Sequence, residues 1–108
     1  MCYTNTMLIA VDTGGTKTLV AGFSKDGIAG EQVKFPTPPN QDDYIEQLRD
    51  VLKKHFGGHR VEAIVIAMPG IVKDGVAVWC NNLGWANFDV KTALDGVLGK
   101  TPIFVEND

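Results

Sequence analysis

The sequence lacks most of what would place a chain in a membrane, outside the cell or against a polyanion. It has only two cysteines, Cys2 and Cys80, and neither has a partner at metal-ligand spacing, so no disulfide framework or zinc site is indicated. Its 10 Lys+Arg are outnumbered by 13 Asp+Glu, for a net charge of -3, which leaves no basic field to draw nucleic acid or acidic lipid. No run of like charge marks a tail, and no apolar run approaches the length of a membrane span. The opening Met1-Cys-Tyr-Thr-Asn-Thr6 carries no basic residue ahead of its apolar stretch, as a secretion signal would. These absences predict a cytoplasmic protein with neither a nucleic-acid nor a membrane partner. There is no repeat or low-complexity segment, and 108 residues at 44% hydrophobic suffice for one core but not two.

What is present is a succession of short apolar runs separated by strong turn signals. Met7-Leu-Ile-Ala-Val11 and Leu19-Val-Ala-Gly-Phe23 read as strands around a glycine turn, and 28–35, between Lys25-Asp-Gly27 and Pro36-Thr-Pro-Pro39, reads as a third strand of a meander. From Asn40 the period changes to that of a helix, with Tyr44, Ile45, Leu48, Val51, Leu52 and Phe56 on one face, Asn40 as N-cap and Gly57-Gly58 as stop. Val61-Glu-Ala-Ile-Val-Ile-Ala67 is nearly all apolar, as a strand covered on both faces would be, and breaks at Met68-Pro-Gly70. Asp89 should cap a second helix with Val90, Ala93, Leu94, Val97 and Leu98 on one face and Gly99 at its end, before a last strand at Pro102-Ile-Phe-Val105. The order β-β-β-α-β-α-β predicts an α/β domain built on a mixed sheet.

In such sheets ligands bind beyond the carboxyl ends of strands, which singles out Asp12-Thr-Gly-Gly-Thr-Lys17, Met68-Pro-Gly70 and Glu106-Asn-Asp108. Two familiar phosphate motifs are excluded. The first glycines do not form Gly-x-Gly-x-x-Gly, and their turn leads into a strand where a dinucleotide site needs a helix. Gly99-Lys-Thr101 is no P-loop, because the residue five before Gly99 is Leu94 and the tripeptide ends a helix instead of opening one. What remains is a glycine hairpin whose backbone amides can approach a phosphate because no Cβ intervenes. Asp12 is then placed to face Mg²⁺ or its water, since phosphoryl groups travel with that ion, and Thr16 adds a hydroxyl. Lys17 is as readily a solvated turn residue as a charge for the phosphate.

Taken together, the segments resemble the amino-terminal part of a ROK-family sugar kinase of the glucokinase type, in the actin-like, hexokinase-like ATPase superfamily with its ribonuclease H-like lobes. Four stretches carry the resemblance over essentially the whole chain: Asp12-Thr-Gly-Gly-Thr-Lys-Thr18, Ala67-Met-Pro-Gly-Ile-Val72 with Asp74-Gly75, Asn82-Leu-Gly-Trp85, and Gly99-Lys-Thr-Pro-Ile-Phe-Val-Glu-Asn-Asp108. It implies ATP-dependent phosphorylation of a hexose, glucose by default, with ATP and Mg²⁺ bound. Asp108 would be the general base toward the sugar hydroxyl, and Asp12, Gly14, Gly15, Thr16 and Lys17 would hold the phosphate end. Asn107 and Gly70 would contact the sugar, while Asn82 would contact it or fix its own loop. Residues 1–108 would be the N-terminal lobe alone, with a missing C-terminal lobe as its partner and inactive as a kinase without it; the full-length protein is compatible with a homodimer. A sugar-binding lobe of a ROK transcription regulator, or another non-catalytic module, is the rival. Among the remaining residues, Trp79 is expected to pack, Trp85 either packs or lines a sugar cleft, Cys80 is a small buried or strand residue, and His55 and His59 suit the end of the first helix.

Overall fold

The computed structural model describes residues 6–24, 26–27, 29–80 and 83–107; Cys2, Asn82 and Asp108 lie outside the described residues. Strands β1 (Thr6–Thr13), β2 (Lys17–Ser24) and β3 (Ala29–Pro36) form the expected antiparallel meander. Helix α1 (Gln41–Phe56) follows, and strands β4 (Arg60–Met68) and β8 (Ile103–Asn107) then join the same sheet in parallel with β1, giving the order β3-β2-β1-β4-β8. The sheet is therefore mixed, as the element order predicts. Parallel pairing demands a crossover, and α1 supplies it between β3 and β4.

Helix α1 begins where the sequence places it. The Asn40 side chain accepts hydrogen bonds from the Asp42 and Asp43 amides at 2.8 and 3.3 Å, and Asp42 and Asp43 lie in the first turn, where the helix dipole favours negative charge. Tyr44, Leu48, Val51, Leu52 and Phe56 form its buried stripe. This stripe packs with Ile9, Val11, Val20, Ile64, Ile66 and Val105 of the sheet in a single core. Each such side chain withdrawn from water contributes roughly 1.5–3 kcal/mol, so this one face supplies most of the driving force for folding.

The opposite face of the sheet is open. Leu8, Val65 and Phe104 are 46%, 37% and 49% exposed. Strand β4 was expected to be covered on both faces; among the described residues it is covered on one, because α1 crosses a single side and the continuous apolar run serves core and open face alike.

Between β4 and the second helix, where the sequence pattern predicts no element, lies a second antiparallel sheet of β5 (Ile71–Lys73), β6 (Val76–Cys80) and β7 (Trp85–Asp89). Its first turn is Asp74-Gly75, with φ of 52° and 82°, the left-handed pair of a tight hairpin for which Asp-Gly is a strong signal. The strands are too short and too irregular for periodicity to reveal them. Helix α2 is also shorter than predicted. It spans Val90–Leu94, capped by the Asp89 carboxylate accepting from the Thr92 amide at 3.1 Å, and turns carry the chain through residue 100. Gly96 and Gly99, at φ of 77° and 73°, break the helical path while Val97 still reaches the core.

An aromatic cluster ties the second sheet to α1. Tyr44 lies 5.0 Å from Trp85 and 6.1 Å from Phe88, ring centroid to centroid. Trp85 is buried, and its indole N–H donates to the Pro39 carbonyl at 2.9 Å, so of its two readings packing is the observed one. Trp79 is the reverse. Expected to pack, it is 44% exposed, on a sheet face that nothing among the described residues covers. Cys80 is buried on β6, as expected, and burial pushes its thiol pKa up. His55 of α1 pairs with Glu31 of β3 at the surface. No helix of the described residues is long and apolar enough to cross a membrane.

Candidate phosphate and sugar site at the strand ends

Strands β1, β4 and β8 run parallel, so their carboxyl ends meet at one edge of the sheet. In register, Asp12 pairs with Ala67, and Ala67 with Glu106. Two strand spacings separate the Asp12 and Glu106 backbones, about 10 Å, so the candidate residues at this edge are within reach of one small ligand. Asp12, Ala67 and Glu106 face away from α1, and both carboxylate residues are exposed.

One residue further on, the chain returns to the core. The Thr13 hydroxyl lies 2.6 Å from the Tyr44 hydroxyl, which in turn donates to Met68 Sδ at 4.0 Å; Thr13 and Tyr44 are both fully buried. Thr13 thus anchors the end of β1 to α1, and it is Asp12, before it, that is left facing outward. Burial pushes the Tyr44 phenol well above its ordinary pKa, and the Thr13 hydrogen bond offsets only part of that rise.

The turn from β1 into β2 is closed by the Gly14 amide donating to the Lys17 carbonyl at 2.9 Å. A Cβ on Gly14 would stand 2.8 Å from that carbonyl oxygen, so the first glycine is required by the turn itself. Gly15, Thr16 and Lys17 are exposed at its tip. The segment after β3 holds the turn from one side: the Thr37 amide donates to the Thr16 carbonyl at 2.9 Å and the Thr37 hydroxyl to the Gly14 carbonyl at 2.9 Å. Thr18, the other hydroxyl beside the turn, is fully buried 2.7 Å from Thr37 Oγ1.

Gly70 follows β4 at φ 104°, and a Cβ there would lie 2.0 Å from the Trp79 carbonyl oxygen. The close approach that demands glycine is therefore to β6. Asn107, at the end of β8, accepts through Oδ1 from the Val72 amide at 2.7 Å, which fixes the start of the second sheet against the edge of the first. A shallow cavity of about 300 Å³ beside it is lined by Val72, Asp74, Val105, Glu106 and Asn107. From the sequence Glu106 belongs to a strand end where ligands bind and Asp74 to an Asp-Gly turn, with no role given to either side chain; a two-residue hairpin and a parallel register bring them together here.

The fold thus gathers Asp12, Gly14, Gly15, Thr16 and Lys17 in one turn and sets Gly70 and Asn107 at neighbouring strand ends. Asn82 and Asp108 lie outside the described residues. No group of three or more metal-ligating side chains occurs among the described residues. A lone exposed carboxylate beside a glycine turn suits a Mg²⁺ that keeps most of its waters and rides on phosphate, not one held in a protein cage.

A mixed sheet with its candidate ligands at the carboxyl ends of parallel strands is the architecture of an α/β ligand-binding lobe. Residues 8–108 match the ROK family, and the chain belongs to it. It is 38% identical over 80 residues to an N-acetylmannosamine kinase of Escherichia coli (strain SMS-3-5 / SECEC), covering 70% of this chain and 27% of that one. Among solved structures it superposes with TM-score 0.83 on a ROK family glucokinase from Streptomyces griseus in complex with glucose and AMPPNP, at 27% identity over 94% of this chain and 33% of the other. A ROK family transcriptional regulator, a homolog of the E. coli MLC protein, shares the fold at TM-score 0.84 and 20% identity. The chain spans about a third or less of the length of each of these proteins.

Proposed function

We propose that the chain is the N-terminal lobe of a cytoplasmic sugar kinase that transfers a phosphoryl group from ATP to a hexose hydroxyl. Glucose is the proposed acceptor, supported by the glucokinase likeness. The observation that carries the proposal is the convergence of the glycine turn, Gly70 and Asn107 on the carboxyl ends of three parallel strands in one sheet.

In this reading the amides of the Gly14–Thr16 turn donate to phosphate oxygens, with Lys17 adding positive charge at its rim. Asp12 would hold Mg²⁺ directly or through its water, and the ion would supply neutralisation of charge on the transferred group. Asn107 has committed Oδ1 to the Val72 amide, so its NH₂ group is what remains to donate to a sugar oxygen. Asp108 accepts the proton of the attacking hydroxyl. A carboxylate suits that task because it is ionised at neutral pH and holds the hydroxyl by a hydrogen bond, so positioning counts for more than basicity. The second lobe closes the site, and the 108 residues alone turn over no sugar.

The test joins the chain to the remaining length that its relatives carry. That protein should release ADP only in the presence of ATP and a hexose, and Asp108→Asn should lower kcat by roughly 10²–10⁴-fold, the usual worth of a general base. Undiminished turnover in Asp108→Asn removes the base assignment; absence of any sugar-dependent ADP release removes the kinase reading.

A further inference from the structure

The hydroxyl of Thr37 has a definite direction. Its single proton goes to the Gly14 carbonyl, so the contact of 2.7 Å with Thr18 Oγ1 must be filled by the Thr18 proton. The result is a one-way chain, from Thr18 to Thr37 to the Gly14 carbonyl. Thr37 also donates its backbone amide to the Thr16 carbonyl. One residue therefore holds two carbonyls of the glycine turn, the first of them through its side chain.

This fixes more than position. A peptide unit is planar and trans, so its C=O and N–H point in opposite directions. Holding the Gly14 carbonyl toward Thr37 turns the Gly15 amide to the far side, where Gly15 is exposed. A Gly-Gly peptide left free would rotate readily, because neither residue has a Cβ to restrict it. The latch itself is pre-shaped: Thr37 sits between Pro36 and Pro38, and a residue before proline is confined to extended conformations.

We propose that Thr37 is a positioning residue for the phosphate turn, and that its hydroxyl presents the Gly15 amide to a phosphate oxygen of the nucleotide. This rests on the reading of the turn as a phosphate grip. It adds the residue that orients the grip, which lies 23 positions away and touches no ligand itself.

The experiment uses the chain joined to the remaining length that its relatives carry, ¹⁵N-labelled on glycine and threonine and titrated with MgATP at constant ionic strength, following the Gly15 and Thr16 amides. Wild type is compared with Thr37→Val, which keeps the branched shape but loses the proton, and Thr37→Ser, which keeps the proton; folding of each is checked by far-UV circular dichroism. The wild-type amides should shift saturably, Thr37→Val should bind at least about 10-fold more weakly, and Thr37→Ser should lie within about twofold of wild type, since tenfold corresponds to about 1.4 kcal/mol, the scale of one hydrogen bond. Should Thr37→Val not fold, Thr37→Ala takes its place with the same expectation. Equal binding by wild type and the proton-less variant overturns the role of Thr37 while leaving the phosphate grip standing. A wild-type chain whose Gly15 and Thr16 amides do not respond overturns the grip, and with it this inference.

Discussion

Asn107 Oδ1 and the Val72 amide, 2.7 Å apart, join the two sheets of the domain at the edge where the candidate ligands gather. The side chain proposed to meet a sugar is thus also a clip between β8 and β5, and substitutions can separate the two roles. Asn107→Asp keeps an acceptor for Val72 and loses the donor. Asn107→Leu loses both and is expected to cost about 1 kcal/mol of stability, the net worth of one ordinary hydrogen bond. Amide hydrogen exchange at Val72 should remain slow in the aspartate variant and accelerate in the leucine variant; equal exchange in both would mean that the clip does not hold in solution.

Gly70→Ala should be among the more damaging small substitutions in the chain. The backbone conformation at φ 104° alone costs an alanine about 1–3 kcal/mol, and its Cβ would meet the Trp79 carbonyl at 2.0 Å. Denaturant unfolding should show a loss of at least that size, with the indole fluorescence of Trp79 and Trp85 altered in the native baseline. By contrast Gly58, against which nothing lies within 4 Å and whose φ is not left-handed, should accept alanine with little change.

The buried hydroxyl pair invites a double-mutant cycle. Thr13→Val leaves Tyr44 with only a weak sulfur neighbour, and Tyr44→Phe leaves the Thr13 hydroxyl unpaired; each should cost about 1–3 kcal/mol. The combined variant should be less destabilised than the sum, because the second change removes a group that the first has stranded. Additive losses would show that the two hydroxyls do not depend on each other.

The same tyrosine makes stability sensitive to alkali. Its phenol is raised in the folded state, so it contributes nothing adverse below the unfolded value of about 10. Above that pH the unfolded chain gives up the proton while the folded one still holds it, and stability falls. Unfolding free energies measured between pH 9 and pH 11, values set by that reference of about 10, should therefore decline more steeply for wild type than for Tyr44→Phe.

Cys80 should be silent toward thiol reagents in the native protein. It is fully buried and its pKa is raised, so both access and thiolate are scarce. In a Cys2→Ser background, reaction with an aromatic disulfide should wait for denaturant and track global unfolding. Prompt native labelling would place the β6–β7 sheet ajar.

Most of the large sheet and α1 was legible in the sequence because their signals are local. Tyr44, Leu48 and Leu52 recur at helical spacing, Asn40 is a strong cap, and Gly14-Gly15 marks a turn. What was missed depends on contacts between distant segments. The exposure of Trp79 and the burial of Trp85 follow from which sheet faces α1, and both residues look alike in the chain. The second sheet hid because its strands of three to five residues are too short to show a period. At the candidate site the glycine turn and the Glu106-Asn-Asp108 strand end were visible, but Thr37, which holds the turn, and the register that sets Glu106 level with Asp12 were not. Nothing in the order of residues announces that 37 lies beside 14.

The stretch from Pro36 to Asn40 carries a last consequence. Surface connections ordinarily accept added residues at little cost. Here Thr37 is tied to the glycine turn, the Pro39 carbonyl to the indole of Trp85, and Asn40 to the first turn of α1. A single inserted residue would have to break one of these ties, so length variation in this lobe belongs at places such as the Asp26-Gly27 bend, and the five residues before α1 behave as a gauge block whose size is not free to change.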